Sequence, residues 1–470
     1  MIKKIKSLIR EFGTLSIGLS LALVTLMGVS IAKGWSEPTA PFPGGNLEAP
    51  INISLTGQTK TGPLQVNGFW NNGDTLLDHN LTLAKTVDAT TGVIYSGTDR
   101  FIHNYGELGE FNFFAGVNAG NFTMSGGGNV AVGDSDLSNN TTGHSNTSIG
   151  YIALPSNTTG SWNVANGSNA LRHNTTGNSN IATGFEALFY NTSGHDNIAD
   201  GTKALLFNTT GSYNSAVGSM ALFSNTVGIY NTAMSYAALT NNTTGSYNSA
   251  VGSQALSSNT TGIYNTAMGT AALNSNILGN YNTAVGSAAL MSNNSGNYNT
   301  AVGAFALISN NIGGSYNTAL GYNSGVTINN LTNATAIGYN AKVGNSNNVR
   351  VGDENITWIG GKVAWSPASD VRLKKEIKDS DLGIEFIKTL RPVSFRWKQG
   401  DNGVNYGFIA QEIEKALAGT EAGMVSTAGD EMQTKSLRYT DLIAPLVKAV
   451  QEQQQQITEL KSQIEVLKNK

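Results

Sequence analysis

Ser369 and Lys374 stand five residues apart in SPASDVRLKK, residues 366–375, where a nearly uncharged chain abruptly acquires charge. The chain has no cysteine and no histidine after His195. Thiolate chemistry is therefore excluded, and Ser369 has no downstream imidazole to activate it. What remains is a Ser–Lys dyad, in which the amine takes the hydroxyl proton. An unperturbed lysine, with a pKa of about 10.4, stays protonated at neutral pH. Burial, helped by the neighbouring cations Arg372 and Lys375, favours the neutral amine. Five residues apart, two side chains lie on opposite faces of a strand and about 140° apart on a helix. The pair meets only through a turn or across two chains. The competing reading makes Ser369 an N-cap and Lys374 a solvated charge.

Other chemistry has less to work with. The formal charge of -3 gives no basic field for nucleic acid. Asp196 and Asp200 are the best carboxylate pair in the middle of the chain, and a glycosidase needs two that converge; as solvated corner residues they need no such role. His144, His173 and His195 recur at related but unequal phases of a repeat, a poor start for a metal site, and no metal or cofactor is expected. The N-x-T triplets match the glycosylation acceptor pattern but arise as part of the repeat itself.

That repeat is the element that carries everything downstream. Glycines at 126, 143, 160, 177, 194, 211, 228, 245, 262, 279, 296 and 313 are seventeen apart and delimit eleven units. Counting from each glycine, the third residue is asparagine (Asn129 to Asn299) and the fifth alanine, with Ser148 the exception. The eleventh is leucine (Leu137 to Leu307) and the fourteenth asparagine (Asn140 to Asn310). Columns held in phase exclude disorder, and seventeen residues suit one coil of a β-solenoid. A phrase such as YNTAVG reads as a short strand with asparagine, alanine and glycine on one face. Small residues against a leucine column make a thin core, continuous only when coils stack. Asparagines in register are expected to form amide ladders, and the N-T-T-G corners to hold the left-handed turn residues. At about 4.8 Å per coil the rod is on the order of 50 Å long. Its charges, Asp134, Asp136, Arg172, Glu186, Asp196, Asp200 and Lys203, all precede residue 204.

The ends differ in texture. Residues 1–35 carry a basic flank followed by TLSIGLSLALVTLMGVSIA, residues 14–32, without a charge. This reads as an export element, either a retained membrane anchor or a signal cleaved after Ala32, that sends the rest outside. Residues 36–125 form a linker and then short strands (GPLQVNGFW, GVIYSG, RFIHNYG, EFNFFAG) whose aromatics cap the first coil. Residues 126–313 are the repeats, and 314–366 the last coils and a neck. Beyond that, 30 of the chain's 59 charged residues lie in 369–470. Residues 367–440 read as an α+β domain, with a helix in SDLGIEFIKTL stopped by Pro392, strands in VSFRW and VNYGFIA, and a helix in AQEIEKAL. Residues 441–470 end a long helix that starts at Tyr439. Ile443, Leu446, Val450, Gln453, Ile457, Leu460, Ile464 and Leu467 form its coiled-coil seam, interrupted only by Gln453.

Two resemblances follow from these residues. SYNSAVGSMAL and NYNTAVGSAAL resemble the head repeats of trimeric autotransporter adhesins, and NATAIGYNAKVGNSNNVRVGDENITWIGG, residues 333–361, looks like the end of such a head. This resemblance implies a parallel β-roll in which three chains pack together, here with a longer period. SDVRLKKEI (369–377), LRPVSFRW (390–397) and GFIAQE (407–412) closely resemble the C-terminal intramolecular chaperone of phage endosialidases and tailspikes. That resemblance implies a domain that trimerises a β-rich stalk and then cuts itself off. It assigns Ser369 as nucleophile, Lys374 as base and Ala368–Ser369 as the scissile bond; Asp370, Arg372 and Lys375 are read beside them as supporting residues. The expectation is an exported homotrimeric surface fibre or adhesin, binding an unidentified surface receptor or glycan. A phage tail fibre or tailspike with the same chaperone is the alternative, against which the export segment argues.

Overall fold

The computed structural model describes residues 85–470, apart from 90, 107–110, 309–312, 358, 361, 363–367, 399–401, 429–431 and 470. The chain divides into units 1–79 and 80–470, and the export segment with its apolar stretch 14–32 lies outside the described residues. Among those residues no helix is long and apolar enough to cross a membrane.

Three strands open the described chain: β1 (Ile94–Ser96), β2 (Asp99–His103) and β3 (Phe113–Ala115). The first two pairings are antiparallel. From β3 onward every pairing along the 17-stranded sheet is parallel. Each coil contributes one three-residue strand, such as Thr266–Met268, placed directly on its equivalent seventeen residues away. A parallel β-solenoid is what the spacing predicts, and the expected columns line its interior. Ala131 to Ala319 and Leu137 to Leu307 are fully or almost fully buried.

The asparagines do form ladders, two of them. In the first, each Nδ2 and backbone N–H donate to Oδ1 of the asparagine one coil earlier, as Asn248 does to Asn231 at 3.2 and 3.1 Å. The same Nδ2 donates to a corner glycine carbonyl, Gly262 O, at 2.8 Å. This ladder starts at Asn112, one coil before the first sequence unit, and ends at Asn317, whose Oδ1 accepts from the Ala334 N–H. The second runs from Asn140 to Asn293, each Nδ2 donating back one coil and to the glycine three residues ahead. Buried amides are tolerated here because each finds its partners.

Two expectations require correction. The left-handed residues are not in the N-T-T-G corners. They fall two, nine and eleven positions after the glycine, as in Tyr264, Ala271 and Leu273, with φ of 56°, 55° and 51°. Each costs about 1–3 kcal/mol, offset because the flipped peptide aims its N–H along the rod: Tyr264 to Ser246 O, Ala271 to Ser253 O, Leu273 to Ala289 O. The N-T-T-G corner instead has the second-ladder asparagine bonded across it and threonine hydroxyls donating to the next coil. The repeat also slips after Gly296. Asn299 Nδ2 donates to Gly314 O, and the Asn317 N–H to Asn299 Oδ1 eighteen residues away. Gly314, not Gly313, therefore opens the following coil, and Thr300 pairs with Thr318 eighteen residues on. Later, Thr335 pairs with Val349 only fourteen residues on.

The N-terminal end is closed as expected by aromatics. Phe114 is fully buried, and His103 packs on both Phe114 and Phe122 while its Nε2 bonds the Ala119 carbonyl oxygen at 2.8 Å. The first full coil holds an anomaly. Asp136 occupies the position that is alanine in every later unit, and it is fully buried. Its Oδ1 accepts from the Ala153 N–H at 2.7 Å, while Oδ2 lacks a hydrogen-bond partner. Burial pushes this carboxyl up to about 7, against the pull of the Ala153 N–H, Ser148 and Gly150 nearby.

C-terminal to the rod are α1 (Ile384–Thr389), α2 (Ala410–Ala416) and α3 (Ile443–Lys468), the last preceded by a 3-10 turn over Tyr439–Leu442. Val393–Phe395 pairs antiparallel with Asn405–Gly407, joining two segments that the sequence reads as strands. A second hairpin, Val425–Thr427 with Lys435–Leu437, was not expected.

Two outcomes follow. Asn231→Ala strips the acceptor from both Asn248 donors and leaves a buried gap; at about 1–3 kcal/mol per unsatisfied group it should destabilise by several kcal/mol in urea titration. Asn241→Ala, outside the ladders, should be near neutral. Asp136 ionises at 3.8 when unfolded and at about 7 when folded, so the unfolded state loses its proton first. Stability from this group is full below pH 3.8 and lost as pH rises through about 7. Each tenfold difference in proton affinity between the two states is worth about 1.4 kcal/mol. Asp136→Ala should abolish the decline, as read by denaturant titrations at about pH 4 and about pH 8, on either side of that window.

Candidate functional site

The sequence left open how a serine and a lysine five residues apart could meet. A turn brings them together. Asp370 caps a 3-10 turn over Val371–Leu373, its Oδ1 accepting from the Arg372 N–H at 2.8 Å, and the Lys374 N–H closes on Val371 O at 3.1 Å. Lys374 is thereby folded back, and its Nζ donates to Ser369 Oγ at 2.8 Å. The cap is Asp370, so the reading of Ser369 as an N-cap does not describe this turn.

The supporting residues divide. Arg372 lays its guanidinium on the Asp370 carboxylate, Nε at 3.0 Å and Nη2 at 2.6 Å. The Arg372 side chain and backbone N–H together hold Asp370 below the usual carboxylate range. The pair is internally neutralised, so Arg372 stabilises the turn more than it adds a cation beside Lys374. Residues 368–380 are exposed throughout, Lys375 included. Val371, Leu373 and Ile377 are 67, 73 and 64% exposed. One copy of the chain therefore brings Ser369 Oγ and Lys374 Nζ into contact and leaves both residues exposed, beside apolar side chains that are exposed among the described residues.

Behind this segment the other two motifs meet. Arg391 of LRPVSFRW forms an ion pair with Glu412 of GFIAQE, which holds the Glu412 carboxyl below its usual range. Phe386, Ile413, Leu417, Met424 and Leu442 form a small core. Tyr439 Oη accepts from the Phe408 N–H at 3.1 Å, tying the start of the long helix to the strand of the third motif. Along α3, Pro445 and Ala449 are the buried residues, and Glu452 Oε2 accepts from the Ile384 N–H at 2.7 Å, capping α1. The opposite face is the seam. Ile443, Leu446, Val450, Ile457, Leu460, Ile464 and Leu467 are all exposed, so the heptad residues take no part in their own chain's core.

The rod candidates are dispersed. His144 meets Trp162 edge-on, His195 pairs with Asp196 at 2.8 Å, and His173 stacks on Tyr190. Among the described residues no three metal-ligating side chains cluster. The sequence reading missed the aromatics of this region: His173, Tyr190 and Phe207 stack at 5.4 and 5.3 Å along one side, and Arg172 lies over Phe189. Seven tyrosines, Tyr213 to Tyr316, stack along another. The signal was present, since a tyrosine recurs two residues after each glycine from 211.

Residues 369–423 match a peptidase-family model described as chaperone of endosialidase. The match begins at Ser369 and spans all three motifs. Neither the curated proteins nor the solved structures yield a match to the chain. The likeness of the repeats to autotransporter heads thus rests on the repeat sequence alone.

Glu452 is the clearest link between the long helix and this domain. Glu452→Ala leaves the Ile384 N–H without its acceptor and should cost about 1–2 kcal/mol, read as an earlier loss of helical circular dichroism in urea. Lys448→Ala, removing only the exposed partner at 3.7 Å, should shift it by less than about 0.5 kcal/mol.

Proposed function

We propose that the chain is an exported, homotrimeric surface fibre or adhesin whose C-terminal chaperone assembles the β-solenoid and then releases itself. The observation that carries this reading is the Lys374–Ser369 hydrogen bond at the first residues of the matched segment. In this reading Ser369 Oγ attacks the carbonyl carbon of Ala368 through a five-membered ring. As the C–O bond forms, Lys374 takes the hydroxyl proton; as the C–N bond breaks, the same proton passes to the Ser369 nitrogen. The resulting ester is hydrolysed by one water, leaving a carboxylate at Ala368 and a fragment beginning at Ser369.

For Lys374 to accept a proton its amine must be neutral, and loss of water favours that form. A single copy does not provide it. Neighbouring copies would, by covering Val371, Leu373 and Ile377 when the exposed seams of α3 associate. Cutting is then timed to assembly, and the dyad waits in water until that cover arrives. β-Branched residues at one seam position with leucine at the other favour two strands, so the trimer rests on the family resemblance and not on the seam. The need for such a device is physical. Neutral coils that all look alike can pair out of register, and long-range β structure forms slowly with exposed edges. A chaperone fixed at one end sets the register, and its removal leaves a rod whose stability is kinetic.

The same chaperone family supports a second reading, a phage tail fibre or tailspike. The apolar segment 14–32 favours export instead, since virion fibres assemble in the cytoplasm. The receptor or glycan bound by the rod is unassigned.

Intact-mass spectrometry decides the reaction. The wild type should yield a fragment that begins at Ser369, while Ser369→Ala and Lys374→Ala remain whole and trimeric. A wild type that stays uncut as a trimer would make the domain a permanent cap.

A further inference from the structure

Three columns run along the outer strand side of every coil from Gly211 onward. The first is the tyrosine stack, Tyr213, Tyr230, Tyr247, Tyr264, Tyr281, Tyr298 and Tyr316, with ring centroids 4.7–5.1 Å apart and planes within 12°. Two residues on is a short hydroxyl column, such as Thr266, Thr283 and Thr300. Two further on is an aliphatic column: Val217, Met234, Val251, Met268, Val285, Val302, Leu320 and Ile337. Between them Asn and Ala point inward and are buried. Tyr264 and Met268 remain 45 and 47% exposed. The face is a flat apolar ribbon, interrupted only by small hydroxyls, and far longer than the scattered apolar residues of an ordinary surface.

We infer that this ribbon is where copies of the chain pack against one another along the rod, the tyrosine column of one copy lying against the aliphatic column of the next. The inference rests on the homotrimer proposed above and adds the surface by which the rods join. Three observations select a second copy as the occupant. A partner that meets every coil alike must share the coil-to-coil period, and this chain has it. From Gly211 to residue 312 the coils carry no charge, so parallel copies do not repel. The unpaired seam of α3 calls for parallel copies of the same chain.

The two apolar columns are unlike each other, which suits a closed ring. In a cyclic trimer each interface joins two different patches. Tyrosine against Val or Met, repeated three times, closes round an axis lined by the threonine column. The ribbon also has a natural start. One coil earlier its tyrosine and aliphatic positions are Asp196 and Asp200, and six carboxylates gathered round one axis would repel. On the other side of the rod, threonine hydroxyls are already committed to the next coil's carbonyls, as Thr243 is to Thr260 O at 3.0 Å, and Ser258 and Ser275 follow Tyr190 and Phe207 in the repeat. The stacked aromatics of that side, His173, Tyr190 and Phe207, lie in earlier coils, and from Gly211 onward its described residues offer no comparable apolar strip.

The absence of cysteine makes the test direct. In the full chain, Tyr264→Cys and Met268→Cys are combined and treated with a short bismaleimide, with oligomeric state measured by light scattering. The double variant should give a covalently closed trimer on a denaturing gel, and each single variant should give none. Ser258→Cys with Thr261→Cys, on the other side, should stay monomeric on the gel while trimeric in solution. A trimer in solution whose ribbon pair does not cross-link, or whose control pair links equally well, overturns the inference and leaves the homotrimer standing. Covalent dimers from a single variant would show a two-fold contact instead, which also overturns it. A monomer in solution overturns both.

Discussion

Every coil of a parallel solenoid presents a row of N–H groups to one neighbour and C=O groups to the other, and neither row can be satisfied within the coil. Seventeen residues bury two alanine columns and one leucine column, too little apolar surface to hold a coil alone. Order therefore depends on adjacency. The backbone bonds that run along the rod, and the two asparagine ladders beside them, are shared between coils. Glycine is needed where this closeness is greatest: a Cβ on Gly269, at φ +136°, would lie 2.6 Å from the Gly286 carbonyl. The same dependence explains the left-handed leucines. Their strained peptides are turned so that the N–H points along the stack instead of into the coil.

A structure held by adjacency has two vulnerable ends and no intrinsic register. At the N-terminal end the sheet changes from parallel to antiparallel at β3, and Phe114 and His103 fill the space a further coil would occupy. At the other end the ladder asparagine gives way to Ala334, and the next coil shortens. Between them, irregularities distinguish coils that are otherwise alike: buried Asp136 near Ser148, the eighteen-residue step into Gly314, and the move of aromatics from one side of the rod to another between Phe207 and Tyr213. A uniform stack would slide by whole units at little cost. These departures, together with a domain fused at one end, make one alignment preferable to its neighbours.

The columns were legible because burial in a repeat is periodic: any position that must be small or amide recurs every seventeen residues, and Leu137 to Leu307 announce the core without a structure. The left-handed positions were not, because Tyr264, Ala271 and Leu273 carry no turn signature. Their conformation is imposed by the direction of hydrogen bonds to other coils, and only the stack reveals it. The slip at Gly313 was hidden for a related reason: Gly313 keeps the seventeen-residue count from Gly296, and only Asn317 shows that its neighbour Gly314 is the one in phase. In the C-terminal domain, pattern and propensity found the two short helices and the two strands of the first hairpin. The hairpin of Val425–Thr427 with Lys435–Leu437 escaped because its strands are three residues each and lean on α2. Ser369 and Lys374 stood out by type and spacing, and the turn that joins them was legible only by exclusion of the regular alternatives.

That turn separates two requirements usually met together in a peptidase. Proximity comes from local structure: Asp370 and Arg372 hold it with hydrogen bonds that need nothing beyond residues 369–374. In the proposed reaction desolvation would have to come from other copies, since the same residues are exposed in one. A site assembled in this way has its geometry early and its reactivity late. In the proposed reaction the second requirement is the slow one, because it depends on other copies arriving in the right place. The apolar residues beside the dyad, Val371, Leu373 and Ile377, tie the two together: the contacts that would cover them are the contacts that would exclude water from Lys374. Covering the segment would thus contribute to association and to chemistry at once, so that a misassembled fibre, lacking that cover, would keep its chaperone.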